Sequence, residues 1–255
     1  MAKKEATTVQ SVDRALHILS ILKDFPKGLG VTELSYRLDV SKSTIHRLLS
    51  SLLQQGFVKQ DHENERYLLG LKLIELGEVA SSHLNIRQIA APYLNQLAEI
   101  TGETVHLVVM DNLEIVYIDK TESEATIRMF SRIGKRAPMH CTGVGKAILA
   151  FLPQEKIEEV LTERPMTKFT EHTITDQDSM NKHLEEIRTR GVSFDLEEHE
   201  EGIKCAAAPV FNYKGEVVGG ISVAGPMMRV NEEKLAFFSE EVLKASKRIS
   251  EALGL

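Results

Sequence analysis

Apolar residues near the start of the chain repeat with the 3.6-residue period of α-helices. We predict a first helix that Ser11 caps, because its hydroxyl can accept from a free N–H group of the first turn. The apolar positions of this helix are Val12, Ala15, Leu16, Leu19 and Leu22. Thr32 is placed to cap a short second helix, in which Val31 and Tyr36 have the spacing of a hydrophobic staple.

A third helix is predicted from its cap, Ser41, to Gly56, which ends it. Its apolar stripe consists of Ile45, Leu48, Leu49 and Leu52. The other positions of its first turns are small hydroxyls and cations without a carboxylate: Ser41, Lys42, Ser43, Thr44, His46 and Arg47. Hydroxyls and guanidinium groups bind base edges and phosphates, so we predict that this surface enters the major groove of DNA. An ordinary solvated helix face is the alternative.

Two short β-strands are predicted directly after the third helix, at residues 57–60 and 66–69. A hairpin in this position makes the head a winged helix-turn-helix. The turn between the strands, residues 61–65, is acidic and therefore a poor ligand for phosphate. Any contact of the hairpin with DNA is expected from Lys59 or Arg66.

The rest of the chain shows a mixture of helical and strand patterns. Residues 71–84 are predicted to form a linker helix, Asn85 and Gln88 resemble a capping box, and Pro92 is expected to interrupt the helix that follows. Paired strands are predicted at 105–110 with 115–118 and at 205–211 with 217–223, and helices at 146–151, 155–161, 176–190 and 231–253. Hairpins interleaved with helices indicate an α+β fold, with a sheet covered mainly on one face.

The composition is that of a soluble globular protein, with 42% hydrophobic and 27% charged residues in a chain of 255. We find no apolar signal segment and no run of 18 apolar residues, so we expect a cytoplasmic protein with no membrane partner. Residues 1–72 carry 11 Lys and Arg against 8 Asp and Glu, and the remainder carries 20 against 29. A positive head on an acidic body favours a nucleic-acid-binding module joined to a domain that does not bind nucleic acid.

The segment MHCTGVGKAILAF, residues 139–151, has some features of a phosphate-binding loop. A P-loop requires G-x-x-x-x-G-K-[ST], but His140 occupies the early glycine position and Ala147 the hydroxyl position. A nucleotide is therefore excluded, and no cofactor is predicted. Free N–H groups near Gly143 favour a carboxylate, and a tight glycine-permitted entry into a packed helix is the alternative. Lys146 and the acidic run DLEEHEE, residues 195–201, are expected to face solvent, Asp195 excepted.

The head resembles the DNA-binding half of the IclR family of bacterial transcription regulators in SVDRALHIL, VTELSYRLDVSKSTIHRLLSSLLQQGFV and RYLLGLKLIELG. The body resembles the effector-binding half of that family in GETVHLVV, PMHCTGVGKAILAFLP, HTITD and EEHEEGIKCAAAPVF. The resemblance implies a winged helix-turn-helix domain at 1–70, a linker helix at 71–84 and a GAF-like effector-binding domain at 85–255. It also implies a repressor that binds operator DNA as a homodimer or homotetramer.

The resemblance further implies that the body binds a small organic acid. Its contacts are expected at Gly143, Val144, Asp195, Cys205 and Ser222. Position 224 is an alanine where family members often carry a second serine, which removes one polar contact. A carboxylate at the helix start and hydroxyls at Asp195 suit a hydroxylated keto acid, because Asp195 would repel the carboxylate. Residues 127–146, together with EEHEEGIKC at 197–205, look most like the family branch that senses 2-keto-3-deoxygluconate.

Two other functions stay open on the residues alone. In an enzyme, Cys205 would be the nucleophile and His199 or His140 the base, but no local motif fixes that geometry. In a metal site, the ligands would be His140, Cys141, His199 and Cys205, which have suitable chemistry but no ligand-like spacing. We predict neither catalysis nor a bound metal. Cys141 and Cys205 form no C-x-x-C pair and are expected to be reduced thiols.

Overall fold

Three helices and a β-hairpin form the first of two structural units. The computed structural model describes residues 9–82, 85–125 and 131–255, and the chain divides between His83 and Leu84. The elements of the first unit are α1 (Gln10–Leu22), α2 (Val31–Leu38), α3 (Lys42–Gln54), β1 (Val58–Gln60), β2 (Tyr67–Leu69) and α4 (Lys72–Ser82). Its core consists of Ile18, Leu22, Leu29, Leu34, Ile45, Leu49, Leu52, Val58 and Tyr67.

The hairpin is attached to the helices through backbone hydrogen bonds. β1 and β2 pair antiparallel, with Val58 opposite Leu69. The N–H of Leu29 donates to the Tyr67 carbonyl at 3.1 Å, and the Tyr67 N–H donates back at 2.9 Å. The predicted winged helix-turn-helix is therefore confirmed, with α3 between Ser41 and a left-handed Gly56 (φ 75°).

Several predictions about the first two helices are wrong. Val9, not Ser11, stands at the cap position of α1, and Val12 and Leu16 are 53% and 56% exposed while Ile18 is buried. Apolar residues cover more of the surface of α1 than the core can bury. Periodicity alone therefore did not show which of them are buried. The predicted staple of α2 is also absent, because Tyr36 is 89% exposed.

At the start of α2, the side chain of Glu33 caps the helix in place of Thr32. The Gly30 N–H donates to Glu33 Oε2 at 2.9 Å, and Gly30 occupies the cap position. Thr32 lies within the first turn of the helix, so its hydroxyl is not the cap that the sequence predicted.

The second unit is an α+β domain, as predicted. Its elements are α5 (Asn85–Thr101), β3 (Thr104–Asp111), β4 (Glu114–Thr121), β5 (Arg136–Ala137), α6 (Gly143–Leu149), α7 (Gln154–Glu163), α8 (Gln177–Arg190), β6 (Ser193–Leu196), β7 (Ile203–Phe211), β8 (Val217–Pro226) and α9 (Glu232–Ala252). The six strands form one antiparallel sheet in the order β5-β4-β3-β8-β7-β6. None of the described helices is long and apolar enough to cross a membrane.

The sheet is covered by helices on both faces, so the prediction of one mainly covered face is wrong. Ala206, Ala208, Ile221 and Val223 pack with residues of α5 and α9 on one side. Cys205, Ala207 and Ala224 pack with residues of α6, α7 and α8 on the other. Neighbouring residues of a strand point to opposite faces, and β7 and β8 are buried along almost their whole length, which requires two covers.

Other details of the body differ from the sequence predictions. Pro92 lies inside the single helix α5 and does not begin a second segment. The turn between the predicted strands 105–110 and 115–118 uses Asn112 and Leu113, both with positive φ. The Asn85 side chain of the predicted capping box lies outside the described residues. The short strands β5 and β6 were not predicted.

The junction between the hairpin and α4 supplies a test of the first unit. A Cβ at Gly70 would overlap the Gly56 carbonyl oxygen and lie 2.9 Å from Phe57 C, whereas a Cβ at Gly77, within α4, meets nothing within 4 Å. We expect Gly70→Ala to destabilise the protein by about 1–3 kcal/mol, through overpacking against backbone. The matched Gly77→Ala should stabilise it by roughly 0.5–1 kcal/mol, because alanine favours a helix. Urea unfolding followed by circular dichroism measures both, and equal stability of the two variants would refute this reading.

Candidate DNA-binding and effector-binding sites

The start of α3 is ordered by hydrogen bonds among its hydroxyls. Ser41 Oγ accepts from the Thr44 N–H at 3.4 Å and lies 3.0 Å from Ser43 Oγ and 2.9 Å from Thr44 Oγ1. Lys42, Ser43, His46 and Arg47 are exposed and Thr44 is half-buried, while Ile45 and Leu49 point into the core. The structure therefore places the predicted DNA-binding residues on the solvent side of one helix, with no acidic residue in its first turn.

The two cations predicted at the hairpin differ in their surroundings. Arg66 Nη1 donates to the Gly28 carbonyl at 2.8 Å, and its Nη2 lies 3.4 Å from Glu33 Oε2. Arg66 is thus engaged within the head, and Lys59, which is exposed, is the better placed of the two to reach a phosphate. Asp61 orders the acidic turn by accepting from the Glu63 N–H at 2.9 Å.

In the body, strand register gathers the predicted effector contacts on the face of the sheet that α6 covers. Asp195 of β6 stands opposite Cys205 of β7, and Ser222 of β8 stands between Ala207 and His106. Three of the predicted side chains therefore come from three neighbouring strands and point to the same side.

The start of α6 lies directly against these strands. A Cβ on Gly143 would lie 2.8 Å from Cys205 Sγ and 3.2 Å from the Asp195 nitrogen. Thr142 caps the helix, with its hydroxyl accepting from the Gly145 N–H at 3.2 Å. Within the described parts of the chain, the N–H groups of Gly143 and Val144 have no hydrogen-bond acceptor. The Val144 side chain is buried in the core, so only its backbone is available to a ligand.

The electrostatics of this cluster favour neutral groups. Burial raises the pKa of Asp195 to about 7, and the N–H groups of Glu198 (2.7 Å) and His199 (3.4 Å) oppose that rise by donating to its Oδ1. Burial also raises the pKa of the Cys205 thiol and lowers the pKa values of His140 and His199. Near neutral pH, Asp195 is therefore the group in this cluster that is poised to change charge.

The arrangement does not support the two alternatives raised by the sequence. His199 Nδ1 lies 3.5 Å from Cys141 Sγ, and His140 Nε2 lies 3.0 Å from the Thr167 carbonyl oxygen. Within the described residues, neither histidine forms a hydrogen bond with Cys205. A protonated Cys205 thiol is a poor nucleophile. Among the described residues, no group of three or more His, Cys, Asp and Glu is arranged to hold a metal ion.

Lys146 and Glu198 are the main error of the sequence analysis in this region. Both were expected to face solvent, but Lys146 is 0% exposed and Glu198 6%. Lys146 Nζ forms a salt bridge with Glu198 Oε1. One sequence signal could have indicated this burial. Lys146 follows Gly145 at the start of an otherwise apolar helix, all of whose residues are buried.

His106 is a second polar residue that the sequence analysis did not select. It is buried, its Nε2 lies 2.8 Å from Ser131 Oγ, and its Nδ1 lies 3.4 Å from Ser222 Oγ. Burial lowers its pKa to about 3, with a further contribution from Lys120 and Lys135, so the imidazole is neutral. A histidine within the apolar strand TVHLVV was the signal that could have found it.

A winged helix-turn-helix with a carboxylate-free third helix, joined to a separate α+β domain that gathers polar side chains under a helix start, defines a DNA-binding transcription regulator. The sequence matches the IclR helix-turn-helix domain over residues 11–62 and the bacterial transcriptional regulator IclR C-terminal domain over residues 79–251. The chain belongs to the IclR family.

Relatives and solved structures agree over almost the whole length. The chain is 37% identical to the HTH-type transcriptional regulator XynR of Escherichia coli, over 96% of this chain and 98% of that protein. It is also 37% identical to the HTH-type transcriptional regulator KdgR of E. coli, over 98% and 95%. The crystal structure of the Thermotoga maritima IclR has a TM-score of 0.81 at 36% identity, covering 96% of this chain and 99% of that one. These proteins are regulators, which is consistent with a function other than catalysis.

The raised pKa of Asp195 predicts a pH-dependent stability. A carboxyl group whose pKa is higher in the folded than in the unfolded protein stabilises the fold at low pH, and this contribution is lost as the pH rises through about 7. Asp195→Asn removes the ionisation, so its melting temperature relative to wild type should be higher at pH 8 than at pH 5. Differential scanning calorimetry at the two pH values tests this, with exposed Asp178→Asn as control. A difference that does not change with pH would contradict it.

Proposed function

We propose that the protein is a repressor whose affinity for operator DNA is controlled by a hydroxylated keto acid such as 2-keto-3-deoxygluconate. In this proposal residues 1–70 bind DNA, residues 71–84 link the domains and residues 85–255 bind the effector. The protein acts as a homodimer or homotetramer on a pseudo-palindromic operator. Two α3 helices then meet half-sites about one helical turn of DNA, or a multiple of it, apart.

The DNA-binding part of the proposal is supported by the exposed surface of α3. Lys42 and Arg47 supply charge, and Ser43 and His46 supply short polar groups on the same solvent side. Ser41 and Thr44 complete the set at the helix start, where the positive end of the helix dipole favours a phosphate. We assign phosphate contacts to Ser41, Lys42 and Thr44, and base contacts to Ser43, His46 and Arg47.

The observation on which the effector proposal rests is the close approach of Gly143 to Asp195 and Cys205. It brings two kinds of polar group within the span of one small molecule. The N–H groups of Gly143 and Val144 are suited to a carboxylate. Asp195 and Ser222 are suited to hydroxyls, and Cys205 forms an apolar wall between the two ends. A molecule with a carboxylate at one end and hydroxyls at the other matches this arrangement.

The resemblance of residues 127–146 to the branch that senses 2-keto-3-deoxygluconate supports the choice of that acid. A discriminating experiment titrates the protein by calorimetry with 2-keto-3-deoxygluconate, with gluconate, which lacks the keto group, and with pyruvate, which lacks the hydroxyls. Gel shifts with operator DNA then follow each compound that binds. We expect 2-keto-3-deoxygluconate to bind most tightly and to release the DNA. Tighter binding by pyruvate would reject a hydroxylated effector, and tighter DNA binding with effector would reject repression relieved by the effector.

The two ends of the effector site are separable by mutation. Asp195→Asn should weaken 2-keto-3-deoxygluconate by about 1–3 kcal/mol, because a buried hydroxyl loses a charged acceptor. Pyruvate, which has no hydroxyl, should lose little. Because the ionised carboxylate is the better acceptor, wild-type affinity for 2-keto-3-deoxygluconate should increase as the pH rises through about 7, and the variant should lose this dependence.

Calorimetry at pH 6 and pH 8 with both ligands measures these effects. The matched control is Thr189→Ala, an exposed hydroxyl on α8 that should change neither affinity. Gly143→Val is less informative, since its side chain would collide with Cys205 Sγ and disturb the fold. An Asp195→Asn protein with full affinity for the sugar acid would move the effector site elsewhere.

The DNA surface is tested with Arg47→Ala. If Arg47 contacts a base, the variant should lose about 1–3 kcal/mol of binding free energy and relax the preference at one operator position. The control is Arg248→Ala, which removes the same charge from an exposed position on α9. Fluorescence anisotropy across a salt series separates the outcomes. A uniform loss of affinity with a salt slope smaller by about one indicates a phosphate contact instead. Unchanged binding would place the recognition surface on another face.

A further inference from the structure

We propose that the buried Lys146–Glu198 ion pair positions the effector site: it joins the start of α6 to the turn that orients Asp195. In this role Lys146 and Glu198 set effector affinity without contacting the effector. The link to affinity rests on the function proposed above, whereas the link between the ion pair and Asp195 does not.

On the α6 side, Lys146 fixes the helix start to the interior. Its N–H donates to the Thr142 carbonyl at 2.9 Å, within the turn that presents the N–H groups of Gly143 and Val144. Its side chain is completely buried and ends at Glu198. The position of the ammonium group is therefore coupled to the first turn of α6.

On the other side, Glu198 belongs to the turn that holds Asp195 in place. Its N–H donates to Asp195 Oδ1 at 2.7 Å, which fixes the direction of that carboxyl group. Its carbonyl accepts from Thr173 Oγ1 at 2.7 Å, and the preceding Glu197 has a left-handed backbone with φ 65°. Backbone and side chain of Glu198 thus connect Asp195 to α6 through one residue.

Stability alone does not account for this pair. Removing two charges from water has a large desolvation cost, and a well-packed apolar pair of similar volume is often as stable. Glu198 Oε2 is buried and has no hydrogen-bond partner among the described residues, so Lys146 is the main compensation for its charge. An arrangement that is costly for stability but directs a neighbouring carboxyl group is consistent with a role in ligand binding.

The pair also sets the charge environment of Asp195. Groups that act electrostatically on Asp195, or on which it acts, come from every element around it: Lys146 on α6, Glu198 and His199 in the turn, Cys141 before α6, Cys205 on β7 and Tyr117 on β4. The Glu198 N–H lowers the pKa of Asp195 by its hydrogen bond, whereas the charge of the Glu198 carboxylate raises it and the charge of Lys146 lowers it. Loss of the Glu198 charge should therefore lower the pKa of Asp195, and loss of the Lys146 charge should raise it.

This opposition defines an experiment that needs no ligand. The Asp195 carboxyl carbon is followed by NMR as a function of pH in protein labelled with ¹³C-aspartate, and Asp195→Asn assigns its signal. We expect Glu198→Gln to move the Asp195 midpoint to lower pH and Lys146→Met to move it to higher pH. The double variant Lys146→Met/Glu198→Gln should return it towards wild type. Midpoints that stay unchanged, or that move in the same direction in both single variants, would overturn the proposal.

Folding of the variants does not limit this test. Glu198→Gln keeps the shape of the side chain. If Lys146→Met fails to fold, the Asp195 midpoint in Glu198→Gln is sufficient to decide the test. In parallel, calorimetry with 2-keto-3-deoxygluconate across pH should show the midpoint of affinity moving together with the Asp195 midpoint. If wild type does not bind this compound, the proposed effector is wrong, while the NMR result still decides the role of the ion pair. If affinity is independent of the Asp195 midpoint, the positioning role in binding is wrong.

Discussion

The contact between the start of α6 and the central sheet is the constraint on which the second unit depends. Two glycines permit it: a Cβ at Gly143 would meet Cys205 Sγ at 2.8 Å, and one at Gly220 would meet Val144 Cγ2 at 2.8 Å. Gly145 permits a second close approach, of α6 to the segment before it, because a Cβ there would meet Met139 Cα at 2.6 Å. The glycines of the GVGK segment therefore serve close packing, rather than the wrapping of a phosphate. The same approach brings the first N–H groups of α6 to Asp195 and carries Lys146 into the interior.

Burial beneath α6 determines whether each polar group there is charged or neutral. His106 stays neutral between two serine hydroxyls, and the thiols of Cys141 and Cys205 stay protonated because burial raises their pKa values. The remaining charge is confined to the Lys146–Glu198 pair and to Asp195. A ligand that enters such an environment meets few mobile charges, so its own charge distribution must match fixed dipoles. In the function proposed above, this favours discrimination between similar acids over tight binding of any anion.

The sequence predicted most of the architecture because the relevant signals are local. Ser41 and Asn231 were correctly placed as helix boundaries, since capping depends on neighbours three residues away. The errors arose where tertiary contacts decide. The exposed Leu16 and Tyr36 have the spacing of core residues, and only the position of the partner helices excludes them. The short strands β5 and β6 exist through pairing with distant strands, and their own residues carry little periodicity.

The residues of the candidate site were suggested by family resemblance and not by local signals. Family resemblance suggested Gly143, Asp195, Cys205 and Ser222, and strand register brings three of these together with the start of α6. Lys146 and Glu198 were missed because a lysine and an acidic run normally indicate solvent. Their burial follows from a pairing across 52 residues of sequence, which no local pattern encodes. His106 was missed because its partners lie on β8 and beyond β4.

The anchoring of Arg66 has a consequence for how the head meets a duplex. The Gly28 carbonyl and Glu33 hold its guanidinium group, and Leu29 extends the hairpin by a third backbone partner. The hairpin is thereby tied to the turn between α1 and α2. A hairpin fixed in this way needs no separate ordering step before it meets a duplex. Conformational entropy that a mobile hairpin would lose on docking has already been lost in folding, so encounter with DNA can proceed as the docking of one rigid surface.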